Sequence, residues 1–174
     1  VSFLMGPGAR SARFQDAVGR LGRAGVREIR VGPLLVSSYS GHYDQIRYLS
    51  GDSVRLSETM QHHLHMAGIE RPRGGVPIKL TRALDNSPHL ARVLTDRARA
   101  LADNPGARAV LIVGHGPNSA EDYAAWMSNL REVTDSVRAL GGFRDVRVEL
   151  VRDDAPAPVR AEAGRRIRGL IDLQ

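Results

Sequence analysis

The chain has 174 residues, 42% of them hydrophobic, enough for packed cores in one ordinary domain or two small ones. It contains no cysteine, which excludes disulfide frameworks, thiolate zinc sites and cysteine nucleophiles; any metal must be held by imidazole and oxygen. The net charge is +6 with a pI near 10.6, and Lys79 is the only lysine. The arginines, among them Arg20, Arg23, Arg27, Arg92, Arg138, Arg160 and Arg168, are spread over many polar faces. That pattern predicts solvated surface and attraction for an anionic ligand, where a nucleic-acid binder would cluster its charge in one stripe. No apolar run approaches the ~18 residues of a membrane span, and Val1 opens no signal pattern. The expectation is a cytoplasmic protein with neither nucleic acid nor membrane as partner.

"VSFLM" (1–5) predicts a strand and "GPGARS" a loop before a helix over 11–24, with Phe14, Val18 and Leu21 on one face and Gly25 as its end. "VREIRVGPLLV" alternates and then turns wholly apolar, as a strand does when it enters a sheet covered on both faces. "SSYSGHYDQIRYLSG" predicts a loop carrying His42, then a short helix with Ile46 and Leu49 inward. Residues 51–76 are polar and punctuated by glycine and proline, which suggests a flap or long connection.

A short strand is expected at "PIKLT". A helix follows, with Ser87 as N-cap, Pro88 in its first turn, Leu90, Leu94 and Leu101 on one face and "NPG" as its stop. "AVLIVG" (109–114) is the most apolar run and predicts a buried strand. After "HGPN", Ser119 and Asp122 resemble a capping pair. Tyr123, Trp126, Leu130, Val133, Val137 and Leu140 then recur at three and four residues, predicting a helix over 119–140. "FRDVRVELV" alternates as a half-buried strand, and "DDAPAP" leads to a last helix with Val159, Ala163, Ile167 and Leu170 inward. The whole reads as α/β, with parallel sheets flanked by helices.

"VSFLMGPGARSARFQDAVGRLGRAG" and "VRVELVRDDAPAPVRAEAGRRIRGL" share a pattern of strand, proline-bearing loop and helix. If they correspond, the chain holds two related units, each incomplete. The first covers 1–104 and lacks its first strand; the second begins at 105 and runs to 174. The halves then pair either within one chain or between chains as a homodimer.

With cysteine absent, chemistry falls to histidine. His115 stands between Gly114 and Gly116 at a strand end, where side-chain crowding is low; it is either a ligand or base, or a loop histidine bonded to neighbouring backbone. His42 follows "GPLLVSSYSG" and has the same alternatives. Asp44, Glu121 and Asp122 could supply oxygen ligands or proton transfer, or could serve helix N-termini. In "HHLH", His62 and His65 lie three apart and could share a helix face as a second, weaker metal pair, with His63 displaced. His89 suits a helix start, and Trp126 and Tyr123 suit a core stripe. "GPGARS" and "GHGPNS" could cradle an anion, but neither has the Gly-Lys-Ser/Thr of a P-loop nor a full G-x-G-x-x-G, so no nucleotide cofactor is expected.

Three stretches, "LIVGHG" with His115, "VGPLLVSSYSGHYDQI" with His42, and "LDNSPHLARVLTDRARAL", together resemble the sirohydrochlorin cobaltochelatase and ferrochelatase family of class II chelatases. The resemblance covers most of the chain outside 51–76. It implies two chelatase-like repeats and ATP-independent insertion of Co2+, Fe2+ or Ni2+ into sirohydrochlorin or a related anionic tetrapyrrole, a lyase reaction of cobalamin or siroheme biosynthesis. His42 and His115 would be the catalytic, metal-binding residues, assisted by Asp44 and Glu121. Imidazole suits both tasks, being a borderline ligand for these ions and a proton acceptor near neutral pH. "VGPLLVSSYSGH" departs from the more glycine-rich segment typical of the family, and His42 and His115 fall in different repeats. The alternative is therefore a non-catalytic relative that binds metal or tetrapyrrole.

Overall fold

The computed structural model describes residues 2, 3 and 12–172. Among the described residues the fold is mixed α/β, with six α-helices and three separate two-stranded pairs, every pair parallel. The chain divides into two compact units, Val1–Ala83 and Leu84–Gln174.

In the first unit β1 (Ser2–Phe3) pairs with β2 (Ala12–Arg13), and α1 (Phe14–Arg23) follows directly. The rest of the predicted strand at 1–5, and the "GPGARS" loop, lie outside the described residues. β3 (Ile29–Val31) pairs with β4 (Ile78–Leu80) in register Ile29↔Ile78. The strand expected to run on through "GPLLV" stops at Val31. Pro33 has no N–H to give a ladder, and Leu34 is 91% exposed.

α2 (Gly41–Ser50) begins at Ser40, whose Oγ accepts the Tyr43 N–H, and ends at Gly51 with φ +114°. This early cap puts His42 in the first helical turn, where a loop was expected. Ile46 and Leu49 are buried as anticipated. Residues 51–76, expected as a flap or long connection, carry a helix and part of a core. They contain α3 (Glu58–Met66), capped by Ser57 Oγ on the Met60 N–H. Leu56, Leu64 and Ile69 from this segment join Phe14, Val18, Ile29 and Leu49 in one core. Leu64 seats the short polar helix on the core, with Leu56 before it and Ile69 after it holding its ends.

In the second unit α4 (Pro88–Arg99) starts with Ser87 Oγ accepting the His89 N–H. β5 (Ala109–Gly114) and β6 (Asp145–Leu150) pair along their full length, Ala109↔Asp145 to Gly114↔Leu150. α5 (Ala120–Gly141) connects them, and α6 (Ala157–Asp172) closes the unit. One core gathers Ala91, Val133, Val137, Phe143 and Val146; a second gathers Trp126, Met127, Leu130, Val148 and Leu150. Ile112 of β5 packs against both.

Three expectations change here. α4, which the sequence puts in a unit ending at 104, packs Ala91, Leu90 and Leu94 with Val133 and Val137 of α5, inside the second unit. The helix stops at Arg99, so Leu101 falls beyond it and is 90% exposed, while Ala91 and Thr95 take the buried line. β5, expected to be buried, has one neighbouring strand among the described residues, and Val113 is 51% exposed.

Candidate metal centre

His115 follows β5 directly. The parallel pairing continues past both strands: Gly114 O accepts the Val151 N–H at 2.8 Å and His115 O accepts the Arg152 N–H at 2.6 Å. The flanking glycines make this approach possible. A Cβ at Gly114 would lie 2.8 Å from Leu150 Cδ2; one at Gly116 would lie 2.7 Å from Leu150 Cβ, and Gly116 has φ +85°, which disfavours any other residue. Their missing side chains make room for Leu150, where the sequence suggested room for a ligand.

The His115 ring has a defined polarity. Nδ1 lies 2.9 Å from Gly116 O, and because a carbonyl only accepts, Nδ1 carries the hydrogen. That bond to neighbouring backbone leaves Nε2 facing outward. Nε2 lies 3.0 Å from an Asp153 carboxylate oxygen and 3.2 Å from one of Asp154. The three groups converge on one point, where a divalent cation would meet one nitrogen and two oxygens. One ligand atom from each of His115, Asp153 and Asp154 lies within 4.8 Å of the others, the group of this kind among the described residues. One imidazole and two carboxylates form a borderline-to-hard donor set suited to divalent first-row ions. The side chains are 56%, 59% and 67% exposed, leaving further coordination positions open.

Arg152 builds the turn that brings these carboxylates back. Its φ is +56°, an unfavourable region for a residue with a Cβ. Its guanidinium donates to Pro117 O at 2.8 Å, Asn118 O at 2.6 Å and Ser119 O at 3.1 Å, tying the turn after β6 to the loop after His115. That loop ends at the α5 N-cap: Ser119 Oγ accepts the Asp122 N–H at 3.0 Å and donates to an Asp122 oxygen at 2.7 Å. Asp122 is thus a capping residue, and Glu121, exposed in the same turn, is outside the metal-type group.

Asp153 and Asp154 are the residues that sequence reasoning missed, having passed over "DDAPAP" as a helix approach. The signal was present in the register. Pairing Gly114 with Leu150 puts the residues just after Leu150 beside His115.

In the first unit, His42 Nδ1 lies 2.9 Å from Gln45 Oε1. Gln45 is fully buried and its Nε2 donates to Met60 O at 2.8 Å; Oε1 is therefore the acceptor and His42 Nδ1 carries the hydrogen. The ring facing it is His63, stacked at 6.3 Å between centroids and 26° between planes. His63 Nδ1 is buried and has no hydrogen-bond partner among the described residues. Of the "HHLH" stretch, the predicted pair His62 and His65 is exposed, and the displaced His63 is the one that meets His42, because Leu64 turns this part of α3 toward the core. Asp44 pairs with Arg47 at 3.3 Å. His42 belongs to the first unit and His115 to the second.

Near the metal-type group, Tyr123 donates its hydroxyl to Glu149 Oε1 at 2.7 Å and accepts from Arg166 Nη1 at 3.1 Å. Burial, then the Glu149 carboxylate, push the Tyr123 phenol above its ordinary value. Trp126 is a core residue, as its spacing implies. No protein-family model matches this chain, and no curated protein matches it.

Proposed function

We propose that this protein carries out ATP-independent insertion of a divalent metal substrate, Co2+, Fe2+ or Ni2+, into an anionic tetrapyrrole of the sirohydrochlorin class. The observation that carries the reading is His115 Nε2 held against Asp153 and Asp154 at the carboxyl end of a parallel strand pair, the end where α/β sheets commonly bind ligands. Insertion exchanges one M2+ for the two pyrrole N–H protons. A histidine and two carboxylates can hold the ion loosely through N and O atoms. After releasing it they can accept those two protons, one on Nε2 and one on a carboxylate oxygen, and pass them to water. The excess of arginine favours a substrate bearing many carboxylates.

The test is the change in sirohydrochlorin absorption on adding Co2+ with and without the protein. Acceleration by the wild type, lost in His115→Ala and in Asp153→Asn/Asp154→Asn, is expected. Co2+ affinity should fall at least about tenfold in both variants, which corresponds to ~1.4 kcal/mol. The open character of the group also favours the non-catalytic reading, a metal carrier. Co2+ binding that depends on His115 without any acceleration would select it, and Co2+ binding indifferent to all three residues would end both readings.

A further inference from the structure

The outer edge of β5 has no partner strand among the described residues. Which backbone groups line it follows from the pairing on the other side. Arg108 O accepts the Arg144 N–H at 3.0 Å and Gly114 O accepts the Val151 N–H at 2.8 Å, so the even-numbered residues turn their backbone groups toward β6. Successive strand residues point opposite ways. Ala109, Leu111 and Val113 therefore turn N–H and C=O outward, where nothing among the described residues receives them.

Exposed edges are normally shielded by charged side chains, proline or a bulge. "AVLIVG" has no charged residue and no proline, and its ladder with β6 runs unbroken. Val110 and Ile112 pack against the α4 and α5 side chains of the core. On the opposite face Leu111 belongs to neither core cluster and Val113 is 51% exposed.

The two ends of this edge carry opposite charge. Arg108 and Arg144 stand exposed where β5 and β6 begin and form no ion pair among the described residues; Asp153 and Asp154 stand exposed just past the end of β6. An antiparallel second copy brings the arginine end of each chain to the aspartate end of the other, a complementarity that a parallel copy would lose.

We propose that two copies of this chain join through their β5 edges, making one continuous sheet from both β5–β6 pairs. A two-fold axis perpendicular to the sheet at Leu111 keeps α4 and α5 of both copies on the same face. It sets Leu111 opposite the partner's Leu111 and Val113 opposite the partner's Ala109, so that every outward N–H and C=O of these residues meets its counterpart. The dimer is independent of the metal-insertion reading.

Sedimentation equilibrium of the full chain tests it. At micromolar concentration the mass should be twice the 19.0 kDa of one chain. The dissociation constant should rise at least about tenfold in Val113→Pro, which removes an outward N–H and leaves the β6 ladder intact, and in Arg108→Glu, which sets like charges together at both ends. Circular dichroism checks that each variant is folded, and the wild-type mass decides the matter even if one is not. A wild type that stays at 19.0 kDa overturns the proposal and leaves the edge to a strand of a different chain. Association that continues past the dimer, or a dimer indifferent to both substitutions, overturns it as well.

Discussion

At the scale of single residues, the Gly-His-Gly segment shows how one motif serves two purposes. Its glycines answer to Leu150 and its histidine to Asp153 and Asp154. Gly116→Ala should therefore destabilise the protein by about 1–3 kcal/mol, through a strained left-handed backbone and a Cβ driven against Leu150, measurable by urea denaturation. Arg152→Ala removes three bonds from a charged donor to carbonyls of the His115 loop. A loss of about 1–2 kcal/mol is expected, together with weaker Co2+ binding as Asp153 and Asp154 lose their anchored turn. Unchanged Co2+ affinity would show that the turn holds itself. His115 was legible from sequence because a lone imidazole after an apolar run stands out. Its carboxylate partners were not, because they lie 38 and 39 positions away and become neighbours only through strand register.

Among the elements, the helix starts were the most legible feature, since a serine cap is a local event. Ser87 and Ser119 act where the sequence places them. α3 was illegible because its burial depends on few residues. Leu64→Ala, at a position 4% exposed, should cost about 2–5 kcal/mol in thermal or chemical unfolding; a neutral result would restore the view of 51–76 as a flap.

The β3–β4 pair carries a pH-dependent contact. Glu28 accepts from Lys79 Nζ at 2.6 Å and Arg30 Nε at 2.8 Å. The bond from Lys79, and then that from Arg30, hold the Glu28 carboxyl below its ordinary value. A carboxyl lowered on folding adds stability above its unfolded value, and that contribution is lost as pH falls through the folded value. Melting curves between pH 7 and pH 3 should thus show a smaller acid loss for Glu28→Gln than for the wild type. The effect is modest for so open a pair, and identical losses would remove Glu28 from the account. Tyr123 acts at the other extreme: a phenol raised on folding keeps its contribution below its unfolded value near ~10 and loses it as pH rises beyond that.

For the molecule as a whole, the hydrophobic clusters are confined to one unit each. Leu49 in the first and Val137 in the second are among the most deeply buried side chains. Because they belong to separate clusters, Leu49→Ala and Val137→Ala should be additive within about 0.5 kcal/mol. Trp126, the only tryptophan, reports on the second unit, so Val137→Ala should shift the fluorescence transition and Leu49→Ala should act mainly on circular dichroism. A common shift in both signals from either change would show a single cooperative structure. Among the described residues no helix is long and apolar enough to cross a membrane, in agreement with the hydropathy of the sequence.

By itself the sequence determined the α/β alternation, the parallel pairing, the capped helix starts and the prominence of His115, because each follows from short-range periodicity or from the conformational preferences of a few adjacent residues. Only the tertiary structure decided that α4 packs with α5, that β5 pairs with β6, that His63 meets His42, and that two aspartates lie beside His115. Those outcomes depend on which surfaces distant segments bury against each other and on the register of the strands, neither of which the local pattern encodes.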